Sequence, residues 1–135
     1  MAEQAEHAHE QPAHGSICWN ELATKDAGAA KKFYTELFGW KLKGSDAAGM
    51  EYTEIMLDGK PFGGIMQMHA EMGPMPSHWM TYVAVDDVDV TVKQVEALGG
   101  KICVQPQDIP HVGRFSVITD PTGANIAVIT LGARA

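Results

Sequence analysis

The strongest constraint on the fold is an internal repeat with an offset of 61 residues. Each half of the chain begins with a predicted strand, continues through an Asp that caps a predicted helix, and ends that helix at a Gly. A constant offset across strand, cap, helix and terminal glycine favours a duplication over chance similarity. The matched positions are Leu22 with Val83, Asp26 with Asp87, Leu37 with Leu98, and Gly39 with Gly100.

Both predicted helices are amphipathic. Their apolar residues recur at helical spacing and are expected to face the core. The stripe of the first helix consists of Ala30, Phe33, Tyr34 and Leu37, and that of the second of Val88, Val92, Val95 and Leu98.

Short strands surround each helix. The first half has predicted strands over 17–23, 40–43, 52–57 and 62–68, with a turn at 58–61. The second has them over 80–85, 101–105, 114–119 and 124–130. Each half is therefore β-α-β-β-β, and the class is α+β. One helix covers only one face of such a sheet, so the other face must be buried by the sister half, a second chain or a ligand.

Composition narrows the functional classes. The chain has 135 residues and a net charge of -7, which argues against nucleic-acid binding and adsorption to acidic membranes. No apolar run is long enough to span a bilayer. Cys18 and Cys103 are too few for a disulfide scaffold, and a cytoplasmic location is expected. Residues 1–14 are polar and acidic and are predicted to be a disordered tail, which leaves a single domain over 15–135.

The repeat and three short motifs resemble the vicinal oxygen chelate superfamily, which contains glyoxalase I, bleomycin-resistance proteins and extradiol dioxygenases. The resemblance covers residues 16–131 and implies tandem βαβββ modules, 15–72 and 76–132, around a cupped mixed sheet. It also implies a homodimer. A narrower likeness is to a bacterial glyoxalase-like branch, many of whose members have no assigned reaction. The motifs are Phe33-Tyr34-x2-Leu37-x-Gly39-Trp40, Leu98-Gly99-Gly100 and Asp120-Pro121-x-Gly123.

The resemblance also implies a divalent metal held by four strands. At the corresponding positions this chain has Trp19, Met80 and Ala127, and Gln67 is the candidate for the fourth. Three of these side chains are not ligands for such a cation, so no metal cofactor is firmly predicted. One alternative is a displaced site formed by Glu21, Gln67 and His78. Otherwise His78 begins a strand near the surface, and Glu21 pairs with a basic group or lies at a subunit boundary.

Several residues are candidates for ligand binding. Strand alternation places Glu21 with Trp19, and Tyr82 with His78 and Met80. If Glu21 faces the cavity, burial raises its pKa and makes it a candidate catalytic base; the alternative is a structural, hydrogen-bonded carboxylate. Tyr82 offers a hydroxyl to a ligand or packs in the core. Arg114 binds an anionic group of a ligand or pairs structurally with Asp108. The expected cavity lining is Trp19, Glu21, Gln67, His78, Met80 and Tyr82.

These patterns favour a protein that binds a small organic molecule in the cavity of the sheet. The alternative is a metal-dependent lyase, isomerase or dioxygenase of the glyoxalase type. A remote alternative is copper binding, because thioethers and imidazoles cluster in the middle of the chain. That cluster consists of Met66, Met68, Met72, Met75 and Met80, with His69 and His78.

Overall fold

The predicted β-α-β-β-β order occurs twice in a computed structural model, which describes residues 12–45, 52–69, 75–110 and 112–132. These residues form eight strands and two helices. Most of the predicted tail, Met72 and residues 73–74 between the two predicted modules lie outside the described residues. In chain order the elements are β1 (Ile17–Thr24), α1 (Ala27–Phe38), β2 (Lys41–Ser45), β3 (Tyr52–Leu57), β4 (Lys60–Gln67), β5 (His78–Ala84), α2 (Val88–Val95), β6 (Lys101–Ile109), β7 (Gly113–Thr119) and β8 (Asn125–Leu131).

Capping residues fix the helix starts, as predicted. Asp26 Oδ1 accepts from the Ala29 amide at 3.0 Å, and Asp87 Oδ1 accepts from the Val90 amide at 3.2 Å. Gly39 ends α1 in the left-handed conformation, with φ of 75°. The second helix is shorter than predicted: α2 ends at Val95, and the chain reaches Gly100 through hydrogen-bonded turns. Neither helix is long and apolar enough to cross a membrane.

The chain divides into two compact units, one formed by Trp19–Tyr82 and the other by the described residues before and after it. In the Trp19–Tyr82 unit the strand order is β2-β3-β4-β1-β5. Strand β1 runs parallel to β4, whereas β2, β3 and β4 are antiparallel neighbours, so the sheet is mixed. Most of β5, which the sequence assigned to the second module, belongs to this unit.

The core of this unit lies between the sheet and α1. Leu22, Ile55 and Ile65 are buried there, and Ala30 and Tyr34 of the helix pack against them. The predicted helix stripe is therefore only half right. Phe33 and Leu37, which belong to the same stripe, are each 57% exposed.

The other unit contains α2 and an antiparallel sheet of order β8-β7-β6. Its core consists of Val85, Val88, Val92 and Val128, which confirms most of the second helix stripe. Leu98 is the exception at 75% exposure, since the helix has already ended when the chain reaches it.

Candidate functional site

Two side chains predicted for the cavity, Trp19 and Glu21, lie on the sheet face that α1 does not cover. In the register of the sheet, Glu21 of β1 stands beside Gly64 of β4, while the next residue, Leu22, stands beside Ile65 in the helix-covered core. Side chains alternate between the faces of a strand, so Trp19 and Glu21 share the face opposite to Leu22. Tyr52 belongs to the same face, because its neighbour in sequence, Thr53, pairs with Ile65.

Hydrogen bonds connect four side chains of this face, which we call the Glu21 cluster: Trp19, Glu21, Tyr52 and Tyr82. Trp19 Nε1 donates to the Tyr52 hydroxyl at 2.9 Å. The Tyr82 hydroxyl donates to Glu21 Oε1 at 3.1 Å, and the Tyr52 hydroxyl also forms a hydrogen bond with this carboxyl group. Tyr82 is buried, and the other three are partly buried. The sequence analysis expected both Tyr82 and Glu21 in the cavity lining, and in the structure the two side chains are in direct contact.

A glycine makes room for the cluster. A β-carbon on Gly64 would overlap the hydroxyl end of the Tyr52 ring. Any larger residue at position 64 would therefore push the phenol away from Trp19 and Glu21. Glycine inside a strand costs conformational entropy, and at Gly64 that cost has this packing reason. At Gly63 a β-carbon would instead meet the backbone carbonyl oxygen of Asn20.

Burial and hydrogen bonds act in opposite directions on the central carboxyl group. Burial raises the pKa of Glu21 above its ordinary value, while hydrogen bonds from Tyr52 and Tyr82 and the charge of His78 oppose that rise. Burial, followed by the nearby charge of Glu21, also raises the pKa values of Tyr52 and Tyr82. Both phenols therefore remain protonated donors at neutral pH.

His78 and Met80 lie on β5, the strand that carries Tyr82. Strand alternation places all three side chains on the same face, as the sequence predicts. His78 and Met80 are both partly buried. The His78 Nδ1 atom lies 2.9 Å from the carbonyl oxygen of Pro76, so this nitrogen carries the proton and Nε2 is the remaining ring nitrogen. His78 begins β5, as one of the sequence hypotheses states, and its charge also acts on Glu21.

Gln67 does not join the cluster. Its Oε1 accepts from the Ala27 amide at 2.9 Å, and its Nε2 donates to the carbonyl oxygens of Lys25 and Met68 at 2.7 and 3.0 Å. The side chain thus fastens the start of α1 to the end of β4. It lines a pocket of about 220 Å³ on the helix side of the sheet, together with Ala27, Gly28, Lys31, Thr53 and Ile65.

The donor set does not fit a divalent metal. Within the described residues, no group of three or more His, Cys, Asp or Glu side chains is placed to hold one. Glu21 is surrounded by phenol hydroxyls, and Gln67 is committed to backbone groups on the opposite face. The geometry therefore gives no support to the displaced site of Glu21, Gln67 and His78. In the methionine cluster, Met68 is buried whereas Met75 is 40% exposed.

Arg114 belongs to the other unit and is paired with two carboxylates. Its Nε and one terminal nitrogen donate to Asp89 at 2.8 and 3.0 Å, and the second terminal nitrogen donates to Asp108 at 3.0 Å. These hydrogen bonds hold the pKa of Asp89 below its ordinary value. The structural alternative, a pair with Asp108, is thus present and is extended by Asp89, which the sequence analysis missed.

Sequence reasoning also missed Tyr52. The signal was available, because Tyr52 begins a correctly predicted strand and the double glycine at 63–64 lies on the strand expected to form a hairpin with it. A pair of glycines inside a strand indicates that a large side chain or a ligand approaches the backbone. Combining these observations would have placed an aromatic ring over β4.

The sequence and the fold now define the family. The model of the Glyoxalase/Bleomycin resistance protein/Dioxygenase superfamily matches residues 16–128. The chain belongs to this superfamily, as the resemblance in its motifs predicted.

Relatives and solved structures are similar to this chain to different degrees. CFP32 of Mycobacterium tuberculosis, which carries a provisional glyoxylase name, is 39% identical over 116 residues, which are 85% of this chain and 44% of that protein. The anthracycline biosynthesis protein DnrV of Streptomyces peucetius is 36% identical over 127 residues, which cover 84% of this chain and 46% of DnrV. The chain thus spans less than half the length of both relatives.

Among solved structures, Streptomyces coelicolor methylmalonyl-CoA epimerase in complex with 2-nitronate-propionyl-CoA has the same fold. The TM-score is 0.63 at 15% identity, and the match covers 90% of this chain and 100% of the epimerase. At this identity the likeness establishes the α+β fold with its mixed sheet, and the function must be argued from the site.

Proposed function

We propose that this protein binds a small organic molecule on the sheet face that carries the Glu21 cluster, without a metal ion. The observation that carries the proposal is the partly buried carboxyl group of Glu21, held by a phenol hydroxyl at 3.1 Å and bordered by Trp19. A carboxyl group surrounded by aromatic rings gives a ligand one directional polar contact and apolar walls, which is the usual composition of a small-molecule site.

Proton transfer at the bound molecule is a second candidate function. A carboxylate with a raised pKa is a stronger base than an ordinary one, and Tyr82 fixes the orientation of the Glu21 carboxyl group. A ligand with an acidic C–H or O–H group next to Glu21 would meet the requirement for an isomerase-type step, in which Glu21 takes up the proton and returns it. The metal-dependent lyase, isomerase or dioxygenase alternative has no ligand set among the described residues.

A thermal-shift screen of small aromatic and amphiphilic compounds in the presence of EDTA tests the binding proposal. At a concentration of roughly 100 times Kd, a true ligand should raise Tm by about 5 to 10 °C. The shift should be lost in Trp19→Ala and kept in Leu57→Ala, a control that removes an exposed apolar side chain at the end of β3. Stabilisation that survives in Trp19→Ala, or that appears only after a divalent metal is added, would contradict the proposal.

We also propose that the chain forms a homodimer through an aromatic patch, defined as Phe33, Leu37, Phe38 and Trp79. These residues are between 42% and 57% exposed, and they surround Tyr34, whose ring contacts Phe33, Phe38 and Trp79. A stable interface buries about 800 Å² on each partner, and four large, half-exposed apolar side chains provide a substantial part of that area.

Sedimentation over a range of concentrations tests the dimer. The wild type is expected to be dimeric at micromolar concentration, and Phe38→Glu should be monomeric because it places a charge in the centre of the patch. Val90→Glu is the matched control, since Val90 is 52% exposed on α2 in the other unit. A monomeric wild type, or a dimer that Phe38→Glu leaves intact, would contradict this proposal.

The cytoplasmic location expected from the sequence is retained as a proposal. Both cysteines are free thiols, and Cys103 is exposed, which suits a reducing compartment. Burial raises the pKa of the Cys18 thiol, so it is a poor nucleophile and is not proposed for a catalytic role.

A further inference from the structure

The direction of the hydrogen bonds in the Glu21 cluster restricts the kind of molecule that this site can accept. Trp19 Nε1 can only donate, so the Tyr52 oxygen accepts from it and keeps its own proton for another acceptor. Tyr82 donates to Glu21 Oε1. In the described hydrogen bonds of this cluster the aromatic residues are the donors. Glu21 only accepts.

Glu21 retains capacity as an acceptor. An ionised carboxylate has about four acceptor positions, and the two phenols occupy only part of them. The Tyr52 and Tyr82 hydroxyls are themselves committed to their present partners. What this face offers a ligand is therefore mainly an acceptor, whose natural complement is an O–H or N–H donor.

The charge of Glu21 excludes an anionic ligand. The ionisable groups that act on Glu21 among the described residues are Tyr52, Tyr82 and His78, and His78 is the single basic one. An anion that approached a carboxylate in this partly buried position would be repelled and would lack a strong counter-charge. The net charge of -7 acts in the same direction.

The walls of this face are apolar and polarisable. Met66 pairs in register with both Ala23 and Tyr52, so it lies on the same face as Trp19 and Glu21. Thioether and indole groups pack well against flat rings. The face thus combines an acceptor at its centre with surfaces that suit a planar, uncharged molecule.

We propose that the ligand of this site is a planar, uncharged hydroxyaromatic molecule whose O–H group donates to Glu21, and that anionic molecules such as acyl-CoA esters are excluded. This inference rests on the proposed binding function and specifies its ligand class. It separates this chain from the epimerase of the same fold, which was solved with a CoA ester.

Three bicyclic probes of nearly equal size test the inference: 2-naphthol, which has the donor, 2-methoxynaphthalene, which lacks it, and 2-naphthoate, which is anionic at neutral pH. Isothermal titration calorimetry of the full chain in EDTA should give 2-naphthol an affinity about tenfold higher than its methyl ether, the value of one hydrogen bond to a charged acceptor. The binding of 2-naphthoate should be the weakest of the three.

Substitution of the acceptor provides the second part of the test. Glu21→Leu should bring the affinities for 2-naphthol and its methyl ether to the same value, and Glu21→Gln, which keeps the shape and one acceptor oxygen, should give an intermediate ratio. Glu36→Leu is the control, because Glu36 lies on the surface of α1 in an exposed pair with Lys32, and it should leave the ratio unchanged.

The outcomes separate this inference from the binding proposal. If all three probes bind with similar affinity, or if 2-naphthoate binds best, the ligand class is wrong although the site binds small molecules. If none of the three binds, the ligand class is also wrong, and the broader screen then decides separately whether the site binds any organic molecule.

Discussion

The hydroxyl end of Tyr52 occupies the space in which Gly64 would carry a β-carbon. This contact between neighbouring strands lets a phenol lie flat over β4 and reach both Trp19 and Glu21. A glycine, two tyrosines, a tryptophan and a glutamate thus form one arrangement, in which the glycine supplies the space and the aromatic residues supply the donors.

Gly64→Ala should disrupt this arrangement. The new methyl group displaces the Tyr52 ring, and we expect a loss of about 1–3 kcal/mol in the free energy of unfolding, the usual cost of overpacking. Urea unfolding measures the loss, and a change in tryptophan emission reports the lost bond from Trp19 to Tyr52. Gly44→Ala is the control, because nothing lies within 4 Å of a β-carbon there. Equal stability of the two variants would show that Tyr52 does not depend on the space at Gly64.

Tyr82→Phe removes a buried donor to the carboxyl group of Glu21. We expect a stability loss of about 1–2 kcal/mol, because the carboxylate loses a hydrogen bond in a partly buried position. The pKa of Glu21 should rise further, since Tyr82 opposes the effect of burial. Tyr34→Phe, which loses only the exposed contact from Trp79 Nε1, should cost much less in the same urea experiment. A Tyr82→Phe variant no less stable than Tyr34→Phe would contradict the assignment.

The raised pKa of Glu21 predicts a particular pH dependence of stability. Because the folded state holds this proton more tightly than the unfolded state, Glu21 contributes stability below its unfolded pKa, and that contribution is lost as the pH rises through its folded pKa. The wild type should therefore lose stability relative to Glu21→Gln as the pH rises above the ordinary pKa of glutamate.

Urea unfolding of both proteins at a series of pH values measures that difference. In the part of the chain that the structure describes, the groups that act on Glu21 are Tyr52, Tyr82 and His78, and the two phenols stay protonated over this range. Repeating the series in a His78→Gln background removes the one basic group that acts on Glu21 among the described residues. A difference that is flat with pH, or that favours the wild type at high pH, would show that burial does not raise this pKa.

Gln67 is predicted to support the fold and to leave ligand binding unchanged. Gln67→Ala removes three hydrogen bonds at the start of α1, and we expect a loss of about 1–3 kcal/mol in the free energy of unfolding. Affinity for any ligand found in the screen should stay within about twofold. Gln94→Ala on the exposed surface of α2 is the control for stability. A large loss of affinity in Gln67→Ala would return Gln67 to the binding site.

Much of the fold was predictable because its signals are local. Asp26 and Asp87 cap helices through their own side chains, and the strand at 52–57 has the predicted bounds. Strand alternation also grouped Glu21 with Trp19 on one strand, and Tyr82 with His78 and Met80 on another. Each of these predictions uses only the identity of residues within a few positions along the chain.

The rest depended on contacts between distant segments. Gln67 was assigned to the cavity, but its side chain is turned toward α1, because the parallel register of β1 and β4 places it beside Thr24 on the helix-covered face. Phe33 and Leu37 fit a helix stripe, but both are more than half exposed, since a helical period does not say how much of a stripe finds a partner. No local pattern contains the register between two strands or the contacts of a helix face, so sequence reasoning had no means of finding either.

The central claim, that an organic ligand contacts the Glu21 face without a metal, is tested most directly by the NMR signals of the indole Nε1–H groups. The chain has three tryptophans, which can be assigned by single Trp→Phe substitutions. In EDTA, a ligand from the screen should shift the Trp19 signal, whose N–H group donates to Tyr52, and leave those of Trp40 and Trp79 in place. A ligand that binds with the Trp19 signal unmoved, or that moves it only after a divalent metal is restored, would contradict the account.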